Sequence, residues 1–268
     1  MSRLEKNQLH TVTITGYSAE GMGITRVEQQ VVFVHGAVRG EVCVIRILKV
    51  LKNVAFARVE KILERSEKRV EPDCPNFSAC GGCDFRHLSY SEELEAKRQR
   101  VQDALQRIGG VDIEVTEILG SEETTRYRNK SQFPISTTGK VGFYRARSHD
   151  VIPTTDCLLL PPQAGAIAKA VEEYMREFSV SAYDEKSGKG LLRHIYVRTN
   201  CEGAALVCLI VNGKKLPNEA VLVDRIRAAH ANTVGVVLNV NTKDTNVILG
   251  DTYRTLWGED TLMDTLCG

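Results

Sequence analysis

The amino-terminal part of the chain alternates apolar and polar residues in short pieces that end at glycines. The pieces LHTVTITGYS, GMGITRV, VVFVHGAV, GEVCVIRILKVL and VAFARVEKILE are rich in Val, Ile, Thr and Phe. A period of two predicts strands with one buried face, and the glycines between them predict tight turns. Five short strands within about 55 residues favour a small β-barrel of the OB type, whose closed sheet leaves no exposed edge.

The pattern changes to helical and mixed periods after residue 66. The segment LSYSEELEAKRQRVQDALQRIGG predicts a helix, with Ser89 and Glu92 as a capping box and an apolar stripe formed by Leu94, Val101, Leu105 and Ile108. Strands are predicted from Val111 to Cys157, then a helix over 164–178, two strands, a helix over 218–230 and a last strand. This order predicts an α+β domain with an antiparallel sheet and helices on one face. We therefore expect a barrel domain over 1–66 and an α+β central domain over 67–268.

Composition narrows the class of protein. Of 268 residues, 43% are hydrophobic and 26% are charged, which is typical of a folded globular chain. No apolar run approaches the roughly 18 residues of a membrane span, and the start MSRLEKNQLH lacks the apolar core of a secretory signal. We expect a cytoplasmic protein with no membrane partner, whose eight cysteines are reduced.

The charge distribution is uneven along the chain. The 35 Lys and Arg nearly balance the 34 Asp and Glu, yet residues 1–70 hold 12 basic and 7 acidic side chains. Between Thr124 and His149 there are six Lys or Arg and no acid. Basic segments of this kind attract polyanions, so nucleic acid is a candidate partner despite the neutral total.

Three cysteines in CPNFSACGGC form the strongest chemical motif. Cys74, Cys80 and Cys83 lie within ten residues, and the paired glycines allow a tight loop around one centre. A metal centre normally needs four ligands, so the fourth must come from elsewhere in the chain, and the candidates are Cys43, Cys157, Cys201, Cys208, Cys267 and His87. Zinc and an iron-sulfur cluster both accept four thiolates, and the irregular spacing favours iron-sulfur.

The basic segment RYRNKSQFPISTTGKVGFYRARSH interleaves cations with aromatic residues. It predicts a β-hairpin on which alternate residues share a face, so that cations hold phosphates and an aromatic ring stacks on an unpaired base. The candidate RNA-binding residues are Arg126, Arg128, Lys130, Phe143, Tyr144, Arg145 and Arg147. The alternative is a solvated basic face over core aromatics. His149 and His194 lie beside these strands and are weaker candidates for RNA contact.

Several of these segments resemble one enzyme family. CPNFSACGGCDFRHLSYSEELEAK is similar to the cluster motif of the bacterial 23S rRNA (uracil-5-)-methyltransferases, with Arg86 where that family usually has Gln. Similar segments follow in the family's order: RYRNKSQFPI, VGFYRARSHDVIPTTDCLLL, LRHIYVRTN and NVILGDTYRTLWGED. The amino-terminal strands resemble the family's TRAM domain.

The resemblance carries specific expectations. It implies a 4Fe-4S cluster on Cys74, Cys80, Cys83 and Cys157, and an rRNA-binding TRAM barrel and central domain. In the family, a carboxy-terminal domain binds S-adenosylmethionine and carries the catalytic cysteine and base; we find no matching segment before Gly268. We therefore expect no bound S-adenosylmethionine, no catalytic residue and no methyl transfer by this chain alone, which we expect to be a monomer. The alternatives are a stand-alone RNA-binding module with a structural four-cysteine metal site and an electron-transfer protein.

Overall fold

The computed structural model describes residues 4–268, whose contacts divide them into two units. The barrel unit comprises the residues up to Phe77 together with Cys83–Ser121. The sheet unit comprises Ser78–Gly82 and Glu122–Gly268. Residues 1–3 of the expected 1–66 domain lie outside the described residues. The domain boundary after residue 66 that the sequence suggests stays a prediction. The two contact-based units have other boundaries, since residues 67–77 and Cys83–Ser121 belong to the barrel unit.

Six strands form the sheet of the barrel unit, in the order β1-β5-β6-β4-β3-β2. They are β1 Leu9–Thr13, β2 Gly16–Tyr17, β3 Gly23–Val27, β4 Gln30–His35, β5 Val42–Val50 and β6 Val54–Glu64. The expectation of five strands was wrong, because the first predicted segment bends and forms two of them. Its first part pairs with β5 and its second part with β3. At the bend the Thr25 hydroxyl of β3 donates to the Thr13 carbonyl of β1 at 2.8 Å, which links these two strands across the sheet.

The interior of this sheet is mainly apolar. Alternate strand residues are fully buried, as the sequence pattern predicts; they include Val32, Val34, Ile45, Ile47, Ala55 and Ala57. Beside them, the Arg69 guanidinium donates to both oxygens of the buried Glu41 carboxylate, at 2.5 and 2.8 Å. Burial acts to raise the pKa of Glu41, but hydrogen bonds from Arg69 and the Val38 N–H outweigh it and hold that pKa below its usual value.

The predicted helix is present as α1, Tyr90–Asp103, followed by a π-helical turn over Ala104–Ile108. Ser89 caps it, its hydroxyl accepting from the Glu92 N–H at 3.4 Å. The predicted apolar stripe is not its buried face: Val101 is 51% exposed and Ile108 is 87% exposed. Polar side chains are buried instead, because Glu92 and Gln102 find hydrogen-bond partners within the barrel unit.

The expected strand after the helix is absent from the described residues between Gly109 and Asn129. This segment alternates in sequence, but Ile113 and Leu119 are exposed and no neighbouring strand covers them. Side chains of α1 hold its backbone: the Gln102 amide bonds the Ile113 carbonyl at 2.9 Å and the Val115 N–H at 2.7 Å. These side-chain bonds satisfy backbone groups that a sheet ladder would otherwise satisfy.

The sheet unit is α+β, as predicted, but its main sheet is mixed. The sheet has the order β13-β12-β11-β10-β7, and a separate pair joins β8 to β9. Its elements are β7 Lys130–Pro134, β8 Gly142–Tyr144, β9 Val151–Pro153, α2 Pro162–Glu177, β10 Leu192–Thr199, β11 Ala205–Val211, α3 Glu219–Ala229, β12 Thr233–Val240 and β13 Thr252–Gly258. The expected antiparallel sheet was wrong at one place: β11 and β12 are parallel, because α3 provides a crossover connection between them.

Both helices pack on one face of this sheet, as expected. Buried residues of α2 and α3, including Ile167, Tyr174, Leu222 and Ile226, form one core with Phe133, Ile195 and Leu209 of the strands. The opposite face carries a smaller cluster of Cys208, Ile210 and Val237. Within residues 4–268, no helix is long and apolar enough to cross a membrane.

Candidate functional site

The four predicted metal ligands are all partly exposed and are divided between the two units. Cys74 and Cys83 belong to the barrel unit, whereas Cys80 and Cys157 belong to the sheet unit. Over the part of the chain that the structure describes, no three or more His, Cys, Asp or Glu side chains form a group that could hold a metal ion. The iron-sulfur loop therefore stays a prediction.

The loop around Cys80 is held by an isolated β-bridge within the sheet unit. Cys80 pairs with Arg145 in an antiparallel bridge, the Gly81 N–H donates to the Tyr144 carbonyl at 3.1 Å, and the Ala146 N–H donates to the Ala79 carbonyl at 3.0 Å. A Cβ atom on Gly81 would lie 3.1 Å from Ala146 Cα, so glycine permits this close approach. Two predicted sites, the cysteine loop and the basic segment, are thus joined by backbone hydrogen bonds.

Arg126 is held by protein groups and does not lie on a strand. Its guanidinium donates to the carbonyls of Cys157 and Leu160 at 2.8 and 3.1 Å, and to Asp156 Oδ1 at 2.7 Å. Its φ is +58°, so the expected alternation of Arg126, Arg128 and Lys130 on one strand face was wrong. These bonds fix the loop that carries Cys157.

Arg128 and Lys130 have exposed side chains at one edge of the main sheet. Lys130 begins β7, an edge strand, and lies opposite Arg198 of β10. Like charges directly opposite each other on a sheet are destabilising. Arg198 was not predicted from the sequence, because only the strand register places it beside Lys130.

The predicted hairpin is partly formed. Its turn is present, with the Ser136 N–H donating to the Lys140 carbonyl at 2.8 Å, but β7 then pairs with β10 while β8 pairs with β9. Arg145 and Arg147 are exposed on the turn between β8 and β9, and Arg147 has a φ of +58°. They do not share a strand face, contrary to expectation. Phe143 packs against the core residue Phe133, with 5.2 Å between the ring centroids.

Tyr144 lines a cavity of about 550 Å³ within the sheet unit, here called the Tyr144 cavity. Its polar and aromatic lining includes Tyr144, His149, Asp150, Tyr183, Asp184, Glu185, Lys186, Arg193 and His194. The Tyr144 hydroxyl lies 3.3 Å from His194 Nε2, and the Tyr144 and His149 rings are 5.4 Å apart. His149 Nδ1 lies 2.6 Å from a Glu185 carboxylate oxygen. The structure thus brings Tyr144 together with both histidines that the sequence made weaker candidates.

Burial keeps two side chains of this cavity, His194 and Tyr144, in their neutral forms. His194 is 6% exposed, and burial together with the adjacent Arg193 lowers its pKa from 6.5 to about 4. Burial and the negative charge of Glu185 raise the pKa of Tyr144 to about 12. Both side chains are therefore neutral at physiological pH. The Arg193 guanidinium stacks 4.1 Å from the centre of the Tyr183 ring and donates to the Asn241 and Lys243 carbonyls.

A basic groove in the barrel unit was missed by sequence reasoning. It consists of two cavities of about 820 and 700 Å³ that share Thr15, Ile24, Arg26 and Arg107. Arg39 and Arg100 also line it, and Phe33 lies at its barrel end, where its ring is 5.6 Å from that of Phe56. Its arginines come from β3, the loop before β5, α1 and the π-helical turn, so no local cluster in the sequence identifies them. We call this surface the barrel groove.

Comparison with known proteins places these sites in context. Residues 3–59 match the family model described as the TRAM domain, which confirms the TRAM expectation for that stretch. A Clostridium tetani protein described as an uncharacterized RNA methyltransferase is 42% identical over 265 residues, which is 97% of this chain and 58% of the relative. A Listeria innocua protein with a similar description is 38% identical over 100% of this chain and 60% of the relative. The chain thus spans about three fifths of the length of these curated relatives.

A solved structure has the same fold at low sequence identity. The Pyrococcus abyssi tRNA (uracil-54, C5)-methyltransferase, in complex with S-adenosyl-L-homocysteine, aligns with a TM-score of 0.70 and 20% identity. The alignment covers 95% of this chain and 57% of that chain. The alignment shows that this chain shares the fold of the aligned part of the Pyrococcus abyssi protein.

Proposed function

We propose that this chain is the RNA-recognition portion of an S-adenosylmethionine-dependent RNA (uracil-5-)-methyltransferase, with ribosomal RNA as its substrate. The observation that carries the proposal is similarity along nearly the whole chain to RNA methyltransferases, at 42% and 38% identity. The TRAM match and the shared fold with a uracil-C5 methyltransferase support the same reaction class. S-adenosylmethionine would supply the methyl group in the whole protein. The described residues receive a binding role, and we assign no catalytic side chain among them.

Two surfaces supply the RNA contacts in this proposal. The barrel groove presents Arg26 and Arg100 to a phosphate backbone, whereas Arg107 pairs at 3.4 Å with Asp103, the acid among the lining residues. The sheet unit presents Arg128, Lys130 and Arg198 at a sheet edge and Arg145 and Arg147 on the turn after β8. Phosphate contacts of this kind give affinity and position the RNA, whereas unpaired bases provide selectivity.

We also propose that Cys74, Cys80, Cys83 and Cys157 hold a 4Fe-4S cluster. Four thiolates are a suitable donor set, all four side chains are partly exposed, and the Cys80 loop and the Cys157 loop are each fixed by hydrogen bonds within the sheet unit. The spacing of the motif and its resemblance to the methyltransferase family support this assignment. Its expected contribution is to connect the segment of residues 74–83 with the Cys157 loop, which lies far later in the chain.

RNA binding tests the main proposal. The full chain is titrated with an unmodified rRNA fragment between 50 and 300 mM KCl, and we expect affinity to fall steeply because phosphate contacts release counterions. The double variant Arg26→Ala/Arg100→Ala should bind about tenfold or more weakly and show a shallower salt dependence. Lys214→Ala/Lys215→Ala removes the same charge from exposed positions outside both surfaces and should bind like the unmodified chain. Lack of RNA binding at 50 mM KCl would overturn the proposal.

Metal analysis after anaerobic purification tests the cluster. We expect about four iron and four sulfide per chain and a brown colour, both lost in Cys83→Ser. Cys201→Ser, at an exposed cysteine outside the predicted set, should retain them. A colourless chain with one zinc would contradict the iron-sulfur assignment and favour a structural zinc site.

A further inference from the structure

We propose that the Tyr144 cavity binds one unpaired nucleobase of the RNA. The inference deepens the proposed RNA-binding function and rests on it. The cavity lies wholly within the sheet unit, and its volume of about 550 Å³ falls in the range of roughly 300 to 1,000 Å³ usual for small-molecule sites.

The cavity offers aromatic surfaces on which a base can stack. Tyr144 is half-buried and His149 is exposed, and their rings line the same space with 5.4 Å between centroids and a tilt of 40°. Tyr183 forms another part of the lining and is fixed by the guanidinium of Arg193. Arg193 is itself anchored to the carbonyls of Asn241 and Lys243, so this part of the lining is ordered before a ligand enters.

The charges favour a neutral base over a phosphate inside the cavity. Asp150, Asp184 and Glu185 contribute three carboxylates to the lining, against the cations Lys186 and Arg193. His194 is neutral because burial lowers its pKa to about 4. A phosphate would meet these carboxylates, whereas a planar base carries no charge and presents hydrogen-bonding edges.

Two arginines next to the cavity in the chain are suited to contact the phosphates of the same nucleotide. The turn that carries the exposed Arg145 and Arg147 connects Tyr144 to His149, both of which line the cavity. A base that stacks on Tyr144 therefore has its phosphates close to two arginines along the chain. Cations outside an aromatic pocket are the arrangement that single-strand binding proteins use.

Two residues of the lining carry buried polar atoms that the protein leaves unsatisfied. Arg193 Nε and His194 Nδ1 have no hydrogen-bond partner among the described residues, and both side chains are at least nine-tenths buried. Unsatisfied buried polar groups are rare in folded proteins and cost free energy. Both atoms have almost no accessible surface, so the lining side chains would have to shift before a base edge or a water molecule reached them.

Binding to two RNAs tests the proposal. The first is a hairpin with an eight-nucleotide unpaired loop, and the second is a fully paired duplex of the same length; both are measured by fluorescence anisotropy with the full chain. We expect tighter binding of the looped RNA. Tyr144→Ala and His149→Ala should each weaken that binding by about fivefold to 150-fold, the effect of one stacked base, while duplex binding changes little.

Matched variants separate stacking from folding. Tyr144→Phe keeps the ring and should retain the preference for the looped RNA. Tyr253→Ala removes an exposed tyrosine from β13 and should also retain it. If folded Tyr144→Ala and His149→Ala both keep the full preference, the cavity does not bind a base. If the unmodified chain binds neither RNA, the proposed function fails instead.

Discussion

At the residue scale, Arg126 and Arg128 differ although they are two positions apart in the same basic run. The Arg126 guanidinium bonds two backbone carbonyls and Asp156, whereas the Arg128 side chain is exposed. A guanidinium that satisfies two carbonyls has few donors left for a phosphate. Arg126 therefore has a structural role in fixing the Cys157 loop, and Arg128 is available for RNA.

Mutation of the two arginines should affect different properties, stability for Arg126 and RNA affinity for Arg128. Arg126→Ala should lower the free energy of unfolding by about 1 to 3 kcal/mol, because it removes the side-chain donor to the Leu160 carbonyl and one of the two donors to the Cys157 carbonyl. Arg128→Ala should leave stability within about 0.5 kcal/mol and weaken RNA binding. Urea unfolding and RNA titration at constant salt measure both quantities. Equal loss of stability in the two variants would contradict these roles.

Sequence could identify the basic segment but not the role of each residue in it. The partners of Arg126 lie about thirty positions later in the chain, at Asp156, Cys157 and Leu160. Arg198 likewise meets Lys130 only through the register of β10 on β7. Local patterns carry composition and period, whereas these roles depend on long-range contacts that a single sequence does not specify.

At the element scale, α1 was predicted from its period and cap, but its buried face was not. The Glu92 carboxylate, 1% exposed, accepts from the Tyr17 hydroxyl at 3.0 Å and from the Arg39 guanidinium at 2.9 Å. The Arg39 N–H in turn donates to the Tyr17 oxygen at 2.9 Å. Within the barrel unit this polar network holds the helix against the barrel strands, and hydrophobicity alone gives no signal for it.

Replacement of Glu92 should therefore destabilise the protein more than replacement of its neighbour Glu93. Glu92→Gln should lower the free energy of unfolding by about 1 to 3 kcal/mol and speed amide hydrogen exchange in α1, because Arg39 loses its charged partner. Glu93→Gln breaks only the surface pair with Lys97 and should cost less than about 1 kcal/mol. Unchanged exchange of the α1 amides in Glu92→Gln would show that apolar contacts hold the helix.

Strand prediction succeeded where the buried face is continuous. β10, β11 and β12 bury most of their residues, and each was predicted as a strand. The segment after Gly109 has the same alternation but no partner strand, and β13 is mostly exposed and was not predicted. Periodicity indicates that a strand is possible, and pairing with a neighbour decides whether it forms.

At the scale of the whole molecule, two buried histidines make stability depend on pH. Burial lowers the pKa of His194 to about 4, and burial together with Arg69 lowers the pKa of His87. In the unfolded chain both return to about 6.5, so the unfolded state binds protons first as the pH falls. The contribution of these two histidines to stability is therefore fully present well above pH 6.5 and is lost progressively below it.

Denaturation at several pH values tests this dependence. Between pH 7 and pH 4 we expect His194 to contribute a loss on the order of 3 kcal/mol, measured by urea unfolding at half-unit intervals. His194→Gln should reduce the loss and keep the part due to His87. His10→Gln, at a half-buried position of β1, should keep the full dependence. The assignment would be wrong if His194→Gln followed the same curve as the unmodified chain.

The sequence predicts the fold class of each part of the molecule, but it does not predict which segments of the chain belong to each unit. The barrel, the α+β class and the helices on one sheet face follow from local periods. The short segment Ser78–Gly82 belongs to the sheet unit although residues on both sides of it belong to the barrel unit. Its placement depends on backbone bonds to Tyr144 and Ala146, more than sixty positions later, for which side-chain patterns give no signal.

That interleaving has a consequence for producing fragments of the protein. A truncated chain that ends after Ser121 retains Ala79 and Gly81 but lacks the backbone of Tyr144 and Ala146 to which they bond. The truncation leaves those backbone groups unpaired, and an unpaired strand edge can pair with another chain. Neither unit is one continuous stretch of polypeptide, so we expect such a fragment to self-associate more readily than the intact chain.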